Sequence, residues 1–278
     1  MKQTYITDLD HTFLRSDLSI SGYTQEIWNS MAKSSTLSIA TARSYKKSEQ
    51  FLRQLHLHAP LILLDGALIV SEEKKIIDMK VLGREISDAV VSEGAGFGIY
   101  PVILSLVDRE LNEAFLYPKI RNTFQDRLMA RYGGDDNLIE QKYPKAMDEN
   151  FKIVYMGEES LLRPLTEHLK SVFGDTLEYK LAPEAYLGCY YLSILHPLAD
   201  KAHGLQKLID HLGLDAKEIT VFGDSLNDLG MFAKAGTSVA VGNALDEVKE
   251  KADIVLPHTN DEDAVAKYLS GKHNAAIR

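Results

Sequence analysis

The sequence predicts an α/β protein with a doubly wound, Rossmann-like parallel sheet core and an inserted α+β domain. Near the amino terminus, strand-like apolar runs alternate with helical patterns, as they do in parallel sheets with crossover helices. After about residue 80 the alternation gives way to longer strand-like runs, and the first pattern later returns. We therefore predict a core domain of residues 1–82 and 188–278, and an inserted domain of residues 83–187.

Local patterns predict the elements of the core. Short β-branched and apolar runs indicate strands, and apolar residues repeated along one side of a run indicate helices. Core strands are predicted at 4–7, 36–40, 60–64, 219–222 and 237–241, and core helices at 22–32, after residue 43, and at 203–212, 231–235 and 261–269. Asp65-Gly66 lies between two apolar runs, which predicts a hairpin.

The inserted domain mixes both types of element. Strands are predicted at 97–107, 113–117, 151–156 and 176–181, helices at 121–132 and 158–173, and a strand at 188–195 follows the domain boundary. The run Gly94-Ala95-Gly96-Phe97-Gly98 lacks the GxGxxG spacing and is predicted to open a strand, so it receives no cofactor role.

Composition excludes several function classes. The chain has 278 residues and a net charge of −9, which argues against nucleic acid as the main partner. Its one cysteine, Cys189, suits a reducing compartment. The amino terminus lacks the apolar core of a signal peptide, and the longest apolar run, at 61–70, is too short to span a bilayer. We expect a cytoplasmic protein that does not bind membranes, and the sequence leaves its oligomeric state open.

Two carboxylates directly follow the first strand. Asp8 and Asp10 are two residues apart, so in extended backbone they point to the same side. Open α/β sheets bind their ligands at the carboxyl ends of strands, where this pair lies. Carboxylates this close repel each other unless a cation or a shared proton compensates. The alternative is an acidic turn after an edge strand.

Further polar residues follow other predicted strands. Asp224, Asn227 and Asp228 have the i, i+3, i+4 spacing of one face of a loop entering a helix. Thr41 ends a strand where a hydroxyl and free N–H groups can hold anionic oxygens, and Lys201 precedes a helix. A cluster of four carboxylates is stable around a hard divalent cation, and Mg²⁺ takes one or two carboxylates plus phosphate oxygens. The alternatives are an Asp/Asn helix cap and a solvated lysine.

These motifs together resemble those of the haloacid dehalogenase superfamily. The matching stretches are Asp8-Leu9-Asp10-x-Thr12, Ile39-Ala40-Thr41-x-Arg43, Lys201 before a helix, and Gly223-Asp224-Ser225-x-Asn227-Asp228. The order and spacing of these motifs, with about a hundred inserted residues between the second and the third, resemble the Cof-type sugar-phosphatase branch, which has a large α/β cap. Leu64-Asp65-Gly66-Ala67 and Val241-Gly242-Asn243-Ala244 are also similar to that branch.

The resemblance implies a Mg²⁺-dependent phosphatase that hydrolyses small phosphate monoesters, such as sugar phosphates, through an aspartyl-phosphate. Asp8 would be the nucleophile, and Asp10 the acid and then the base. The resemblance also implies phosphate binding by Thr41, Lys201 and Asn227. The metal would be held by Asp8, by Asp224 and by the backbone carbonyl of Asp10, with Asp228 at or just behind that shell.

Three positions depart from the family pattern: His11 and Ala42 stand where Gly is usual, and Asp65 where Asn is usual. None of them removes a catalytic group, and the roles of the substituted residues stay open. Two other functions also remain open. One is a phosphomutase, which would retain the phosphoryl group. The other is a receiver-like phospho-switch, against which Asp10 argues because it would promote turnover.

Overall fold

The computed structural model describes residues 3–184 and 187–276. The chain forms two compact units. The core unit consists of the residues up to Met79 and those from Leu198 onward, and the inserted unit is Lys80–Pro197.

The elements are numbered in chain order. The first core segment contains β1 (Thr4–Thr7), α1 (Gly22–Met31), β2 (Thr36–Ile39), α2 (Tyr45–Leu52), β3 (Leu61–Leu63), β4 (Leu68–Val70) and β5 (Ile76–Met79). The inserted unit contains β6 (Leu82–Gly83), α3 (Arg84–Gly96), β7 (Val102–Leu106), β8 (Glu113–Pro118), α4 (Thr123–Tyr132), β9 (Leu138–Gln141), β10 (Glu149–Gly157), α5 (Glu159–Phe173), β11 (Glu178–Glu184) and β12 (Cys189–Leu195). The last core segment contains α6 (Lys201–Leu212), β13 (Ile219–Gly223), α7 (Leu229–Phe232), β14 (Thr237–Ala240), α8 (Asp246–Lys251), β15 (Ile254–Val255) and α9 (Ala264–Ala276).

The core unit is built on a parallel sheet of order β15-β14-β13-β1-β2. A parallel bridge between Ala40 and Ile62 continues it towards β3, which starts an antiparallel β3-β4-β5 sheet. The strands are apolar because both faces of such a sheet are covered, and Ile6, Ile39 and Val221 are fully buried. The predicted fold class is confirmed. Since β13, β1 and β2 are parallel neighbours, their carboxyl ends lie at one edge of the sheet.

The inserted unit has its own sheet and core. Its strands run in the order β11-β12-β10-β7-β8-β9, with β6 on β10, and all pairs are antiparallel except β8–β9. Buried Asn150 crosslinks this unit, since its amide donates to the Leu82 carbonyl and to the Ser87 hydroxyl, and its oxygen accepts from Ser105.

The division between the two units differs from the predicted boundaries at 83 and 187. The strand predicted at 188–195 is β12, which pairs with β10 and β11 and therefore belongs to the inserted unit. The predicted strand at 97–107 is shorter in the structure: β7 begins only at Val102, because Phe97 caps the carboxyl end of α3 and Gly98 follows it with a φ of 71°. Gly94 and Gly96 thus close a helix instead of opening a strand. Among the described residues, no helix combines the length and the hydropathy needed to cross a bilayer.

Candidate active site

Three neighbouring strands of the core sheet carry the polar motifs at one edge. Asp8 follows β1, Asp224 follows β13, and Thr41 lies just beyond β2. Parallel pairing fixes this arrangement: the Asp8 N–H donates to the Phe222 carbonyl at 3.0 Å, and the Ala40 N–H to the Thr7 carbonyl at 2.9 Å. Residues distant in sequence therefore meet at the end of the sheet, where open α/β folds bind ligands.

Lys201 is the buried centre of the site. Its Nζ lies 2.6 Å from Asp8 Oδ1 and 2.8 Å from Asp228 Oδ1, and its side chain is fully buried. Burial opposes the charged form, but the two carboxylates outweigh it and raise the pKa of Lys201 above its usual range. Lys201 is therefore a fixed ammonium group in direct contact with the predicted nucleophile. It is the first residue of α6, which is capped by the Asp200 side chain.

Asp228 is held by hydrogen bonds on both oxygens. Oδ1 contacts Lys201, and Oδ2 accepts from the N–H groups of Asp224 and Ser225 at 3.0 and 3.1 Å. The loop folds back so that the Asp228 side chain lies against residue 223, and this position must therefore be a glycine. A Cβ on Gly223 would lie 2.5 Å from the Asp228 side chain. Asp228 therefore braces the loop that carries Asp224.

Asp224 contributes a third carboxylate to the same cluster. One oxygen each from Asp8, Asp224 and Asp228 lies within 4.8 Å of the other two. Thr12 donates to Asp224 Oδ1 at 2.8 Å. Burial raises the pKa of Asp224 to about 6, and the Thr12 hydrogen bond works against that rise. Three carboxylates facing one ammonium form an acidic oxygen-rich site, the donor set that a hard divalent cation prefers.

Asp10 points to a different partner. Its two carboxylate oxygens accept hydrogen bonds from Arg43, from Nε at 2.7 Å and from Nη2 at 2.5 Å. The Asp10 carboxylate is not part of the three-carboxylate cluster. Of the predicted metal ligands, Asp10 was expected to contribute only its backbone carbonyl, so this pairing leaves that expectation untested.

A strained turn supports the edge that carries Thr41. Leu64 and Asp65 both have left-handed backbone conformations, with φ of 52° and 55°. Their N–H groups donate to the carbonyls of Arg43 and Thr41, each at 3.0 Å, which holds the turn against the second motif. Non-glycine residues with positive φ are uncommon and concentrate at functional sites. Thr41 itself is fully buried.

Two exposed asparagine contacts complete the edge. Asn227 donates to Asp65 Oδ1 at 2.8 Å, so its amide is engaged by the residue that stands in place of the usual Asn. Asn243 donates to the His11 carbonyl at 2.7 Å, and His11 has a φ of 57°. The loop thus accepts a Cβ at residue 11, and Asn243 holds it in that conformation.

The structure brings together Asp8, Lys201, Asp224 and Asp228, and it places Thr41 at the same edge of the sheet. Sequence reasoning missed the contacts made by Arg43, Gly223 and Asn243. Each of these residues lies in one of the motifs described above, and membership of a motif was the one sign in the sequence that they belong to the site. Their partners depend on long-range packing, which spacing along the chain does not show.

Comparison with known proteins supports this reading of the motifs. Residues 5–269 match the family of haloacid dehalogenase-like hydrolases. Two 5-amino-6-(5-phospho-D-ribitylamino)uracil phosphatases of Bacillus subtilis are each 26% identical to the chain. One aligns over 273 residues, 94% of both chains, and the other over 284 residues, 94% of this chain and 95% of that protein.

Solved structures share the fold. A haloacid dehalogenase-like hydrolase from Bacteroides thetaiotaomicron superimposes with a TM-score of 0.81, at 22% identity, over 98% of this chain and 99% of the other. A structure described as a subclass IIB sugar phosphatase of this superfamily gives a TM-score of 0.71 at 20% identity, over 98% and 99%. At these identities the likeness concerns the fold alone.

Proposed function

The chain belongs to the haloacid dehalogenase-like hydrolases, as a phosphatase of the Cof-type branch, and from this premise we propose that it hydrolyses small phosphate monoesters such as sugar phosphates through an aspartyl-phosphate on Asp8. The observation that carries the proposal is the buried ammonium of Lys201, 2.6 Å from Asp8 Oδ1. A buried carboxylate in contact with a fixed cation is oriented for attack on an anionic group.

In the first step, a carboxylate oxygen of Asp8 attacks the phosphorus atom. Lys201 holds Oδ1, so we assign the attack to Oδ2. The bond between phosphorus and the leaving oxygen breaks, and Asp10 gives its proton to that oxygen. In the second step a water molecule attacks phosphorus, Asp10 takes its proton, and the bond to Asp8 breaks. Phosphate then leaves and the carboxylates are restored.

The phosphoryl group is proposed to bind to groups at the same edge of the sheet as Asp8. We assign this role to Lys201, to Thr41 at the neighbouring strand end, and to Asn227. Asn227 donates to Asp65 in the structure, so binding phosphate through its amide requires an exchange of that partner. Phosphoryl transfer depends mainly on positioning and charge neutralisation, which these residues supply.

The carboxylate cluster fits a divalent cation, because three buried or half-buried carboxylates face one ammonium. We propose Mg²⁺, held by Asp8, Asp224 and the backbone carbonyl of Asp10. Asp228 is assigned a supporting place behind the ligands, since both of its oxygens already accept hydrogen bonds. When bound, the ion would neutralise charge on the phosphate oxygens.

The proposed partner is a small phosphorylated metabolite. Two relatives are named as phosphatases of 5-amino-6-(5-phospho-D-ribitylamino)uracil, which makes that compound the first substrate to screen. One protein of the same fold is described as a sugar phosphatase, which adds hexose phosphates to the screen. The assignment of the inserted unit, Lys80–Pro197, as a cap domain and the cytoplasmic location are parts of this proposal.

We expect phosphate release to stop with a chelator, to return with Mg²⁺ and to be poorly supported by Ca²⁺.

The decisive experiment separates the roles of the two aspartates, Asp8 and Asp10. Asp8→Asn should form no phosphoenzyme. Asp10→Ala should release one phenol per site from an aryl phosphate and then stall, because a good leaving group hardly needs the acid whereas the attacking water needs the base.

Two results would contradict the proposal. Full activity in excess chelator would rule out the metal assignment. Phosphate trapped on Asp10 in the Asp8→Asn variant, or steady turnover by Asp10→Ala without a burst, would show that the two roles are reversed.

A further inference from the structure

We propose that Arg43 is a positioning residue for proton transfer, and that it acts by holding the carboxyl group of Asp10 in the orientation that reaches the leaving oxygen. The inference rests on the proposed function, in which Asp10 is the acid and base. Arg43 belongs to the second motif but has no role in the proposed reaction so far, and it is not part of the carboxylate cluster. The inference gives it one.

The contact between the two side chains has the geometry of a fixed pair. Arg43 donates from Nε to Asp10 Oδ2 at 2.7 Å and from Nη2 to Oδ1 at 2.5 Å. Two parallel hydrogen bonds between planar groups fix both the position and the rotation of the carboxylate. A single lysine ammonium could not set that rotation.

Arg43 is itself held at both ends. Its guanidinium lies over the ring of Phe51 on α2, 5.0 Å from the ring centre, and Phe51 is buried. Its N–H donates to the Thr41 hydroxyl at 3.1 Å, and its carbonyl accepts from the Leu64 N–H at 3.0 Å. The strained turn at Leu64 therefore secures the backbone from which Arg43 reaches Asp10.

Such support matters for Asp10 because its side chain is partly exposed to solvent. Its side chain is 32% exposed, and His11, which follows it, has a left-handed conformation. An exposed carboxyl group without a fixed partner samples several rotamers. Proton transfer requires the acid within hydrogen-bonding distance of the leaving oxygen. During donation one Asp10 oxygen carries the proton, while the other keeps its hydrogen bond to Arg43.

The test compares two substrates that differ in their need for an acid. For Arg43→Gln and Arg43→Lys, kcat/KM is measured with p-nitrophenyl phosphate and with the hexose phosphate that the wild type hydrolyses fastest. This constant includes only the steps up to release of the leaving group. We expect a loss of about 10- to 1000-fold with the sugar phosphate and a much smaller loss with the aryl phosphate.

Two controls make the result specific. Arg53→Gln removes an exposed arginine from the end of α2 that pairs with Glu49, and it should change neither constant. In the Asp10→Ala background, Arg43→Gln should cause no further loss with the sugar phosphate, because a residue that acts through Asp10 has nothing left to position. Thermal unfolding of each variant shows whether it is folded.

Equal losses with both substrates, carried mainly by KM, would overturn the inference and make Arg43 a phosphate ligand. Losses no larger than those of Arg53→Gln in a folded variant would also overturn it. These outcomes leave the proposed function intact. A wild-type protein that hydrolyses neither substrate would instead contradict the proposed function, and the inference with it.

Discussion

At the scale of single residues, the site stores unfavourable electrostatic energy in the metal-free protein. Asp224 shows it most directly, because burial raises the pKa of its carboxyl group to about 6. The folded state thus binds this proton more tightly than the unfolded chain does. The stabilisation that the proton provides is fully present below about pH 4 and is lost as the pH rises through about 6.

Replacing this carboxylate should therefore stabilise the metal-free protein at neutral pH. Asp224→Asn keeps an oxygen that can accept from Thr12 but removes the charge. We expect the free energy of unfolding in chelator at pH 8 to rise by roughly 1–3 kcal/mol, with little change near pH 4. Urea denaturation at the two pH values measures this difference.

With Mg²⁺ in excess, we expect the wild type to become more stable than Asp224→Asn, the reverse of their order in chelator at pH 8. Excess Mg²⁺ should stabilise the wild type but not Asp224→Asn, because only a folded site with its ligands intact gains binding energy. Asp246→Asn is a matched control, since its side chain is 97% exposed and its loss should change stability little at either pH. A variant that is less stable than the wild type in chelator at pH 8 would contradict the electrostatic argument.

Sequence reasoning was effective for individual residues where strand order determines position. Asp8 and Asp224 follow adjacent parallel strands, so their proximity follows from the predicted fold. It was ineffective where the orientation of a side chain determines which partner that side chain contacts. Asp10 and Arg43 are 33 positions apart, and only the structure shows that their side chains pair. Similarly, only the structure shows that Gly223 makes room for the Asp228 side chain.

At the scale of elements, the turn between β3 and β4 sets the position of α6. Gly66 in this turn has a φ of 90°, and a Cβ built on it would lie 2.0 Å from the Asp200 carbonyl oxygen. Asp200 caps α6, and Lys201 is the first residue of that helix. The contact is between backbone atoms, so flexible side chains cannot relieve it. The turn and Lys201 are therefore coupled through one glycine.

Gly66→Ala should destabilise the protein by about 2–5 kcal/mol and lower activity more than stability alone explains. The reason is that the added methyl group must move the start of α6, and with it the ammonium beside Asp8. Gly22→Ala is the control, because no atom of the described residues lies within 4 Å of its Cβ position at the start of α1. Activity of the folded fraction at low temperature, compared with chemical denaturation, separates the two effects. Equal activity per folded molecule would contradict this coupling.

The predicted elements were most accurate where a local pattern matched the final environment. The amphipathic run at 158–173 corresponds to α5, and the four-residue apolar run at 219–222 to β13. The helix α3 was missed, because its sequence contains Gly94 and Gly96, which weaken helical patterns. Gly94 is required there by packing: a Cβ would lie 2.3 Å from the Tyr155 hydroxyl, a contact that no local pattern reveals.

At the scale of the whole molecule, the two units differ in how the chain builds them. The inserted unit is one continuous segment with its own hydrophobic core, whereas the core unit needs both ends of the chain. The strand β12 decides where that segment ends. It lies between β10 and β11 in the sheet, and its Leu192 and Ile194 are fully buried in the core of the inserted unit. The predicted boundary at 187 would remove it.

We therefore expect residues 80–197 to fold when expressed alone and residues 83–187 not to. In the shorter fragment β11 has lost its neighbour, β10 has an unpaired edge, and the buried side chains of β12 are missing from the core. Circular dichroism during heating should show one cooperative transition for the longer fragment and none for the shorter. A fragment of residues 80–187 isolates the effect of β12 from that of β6 and should also fail to fold. Cooperative unfolding of 80–187 would show that β12 is dispensable, and that the boundary predicted from the sequence describes the folding unit better than the contacts of the native structure do.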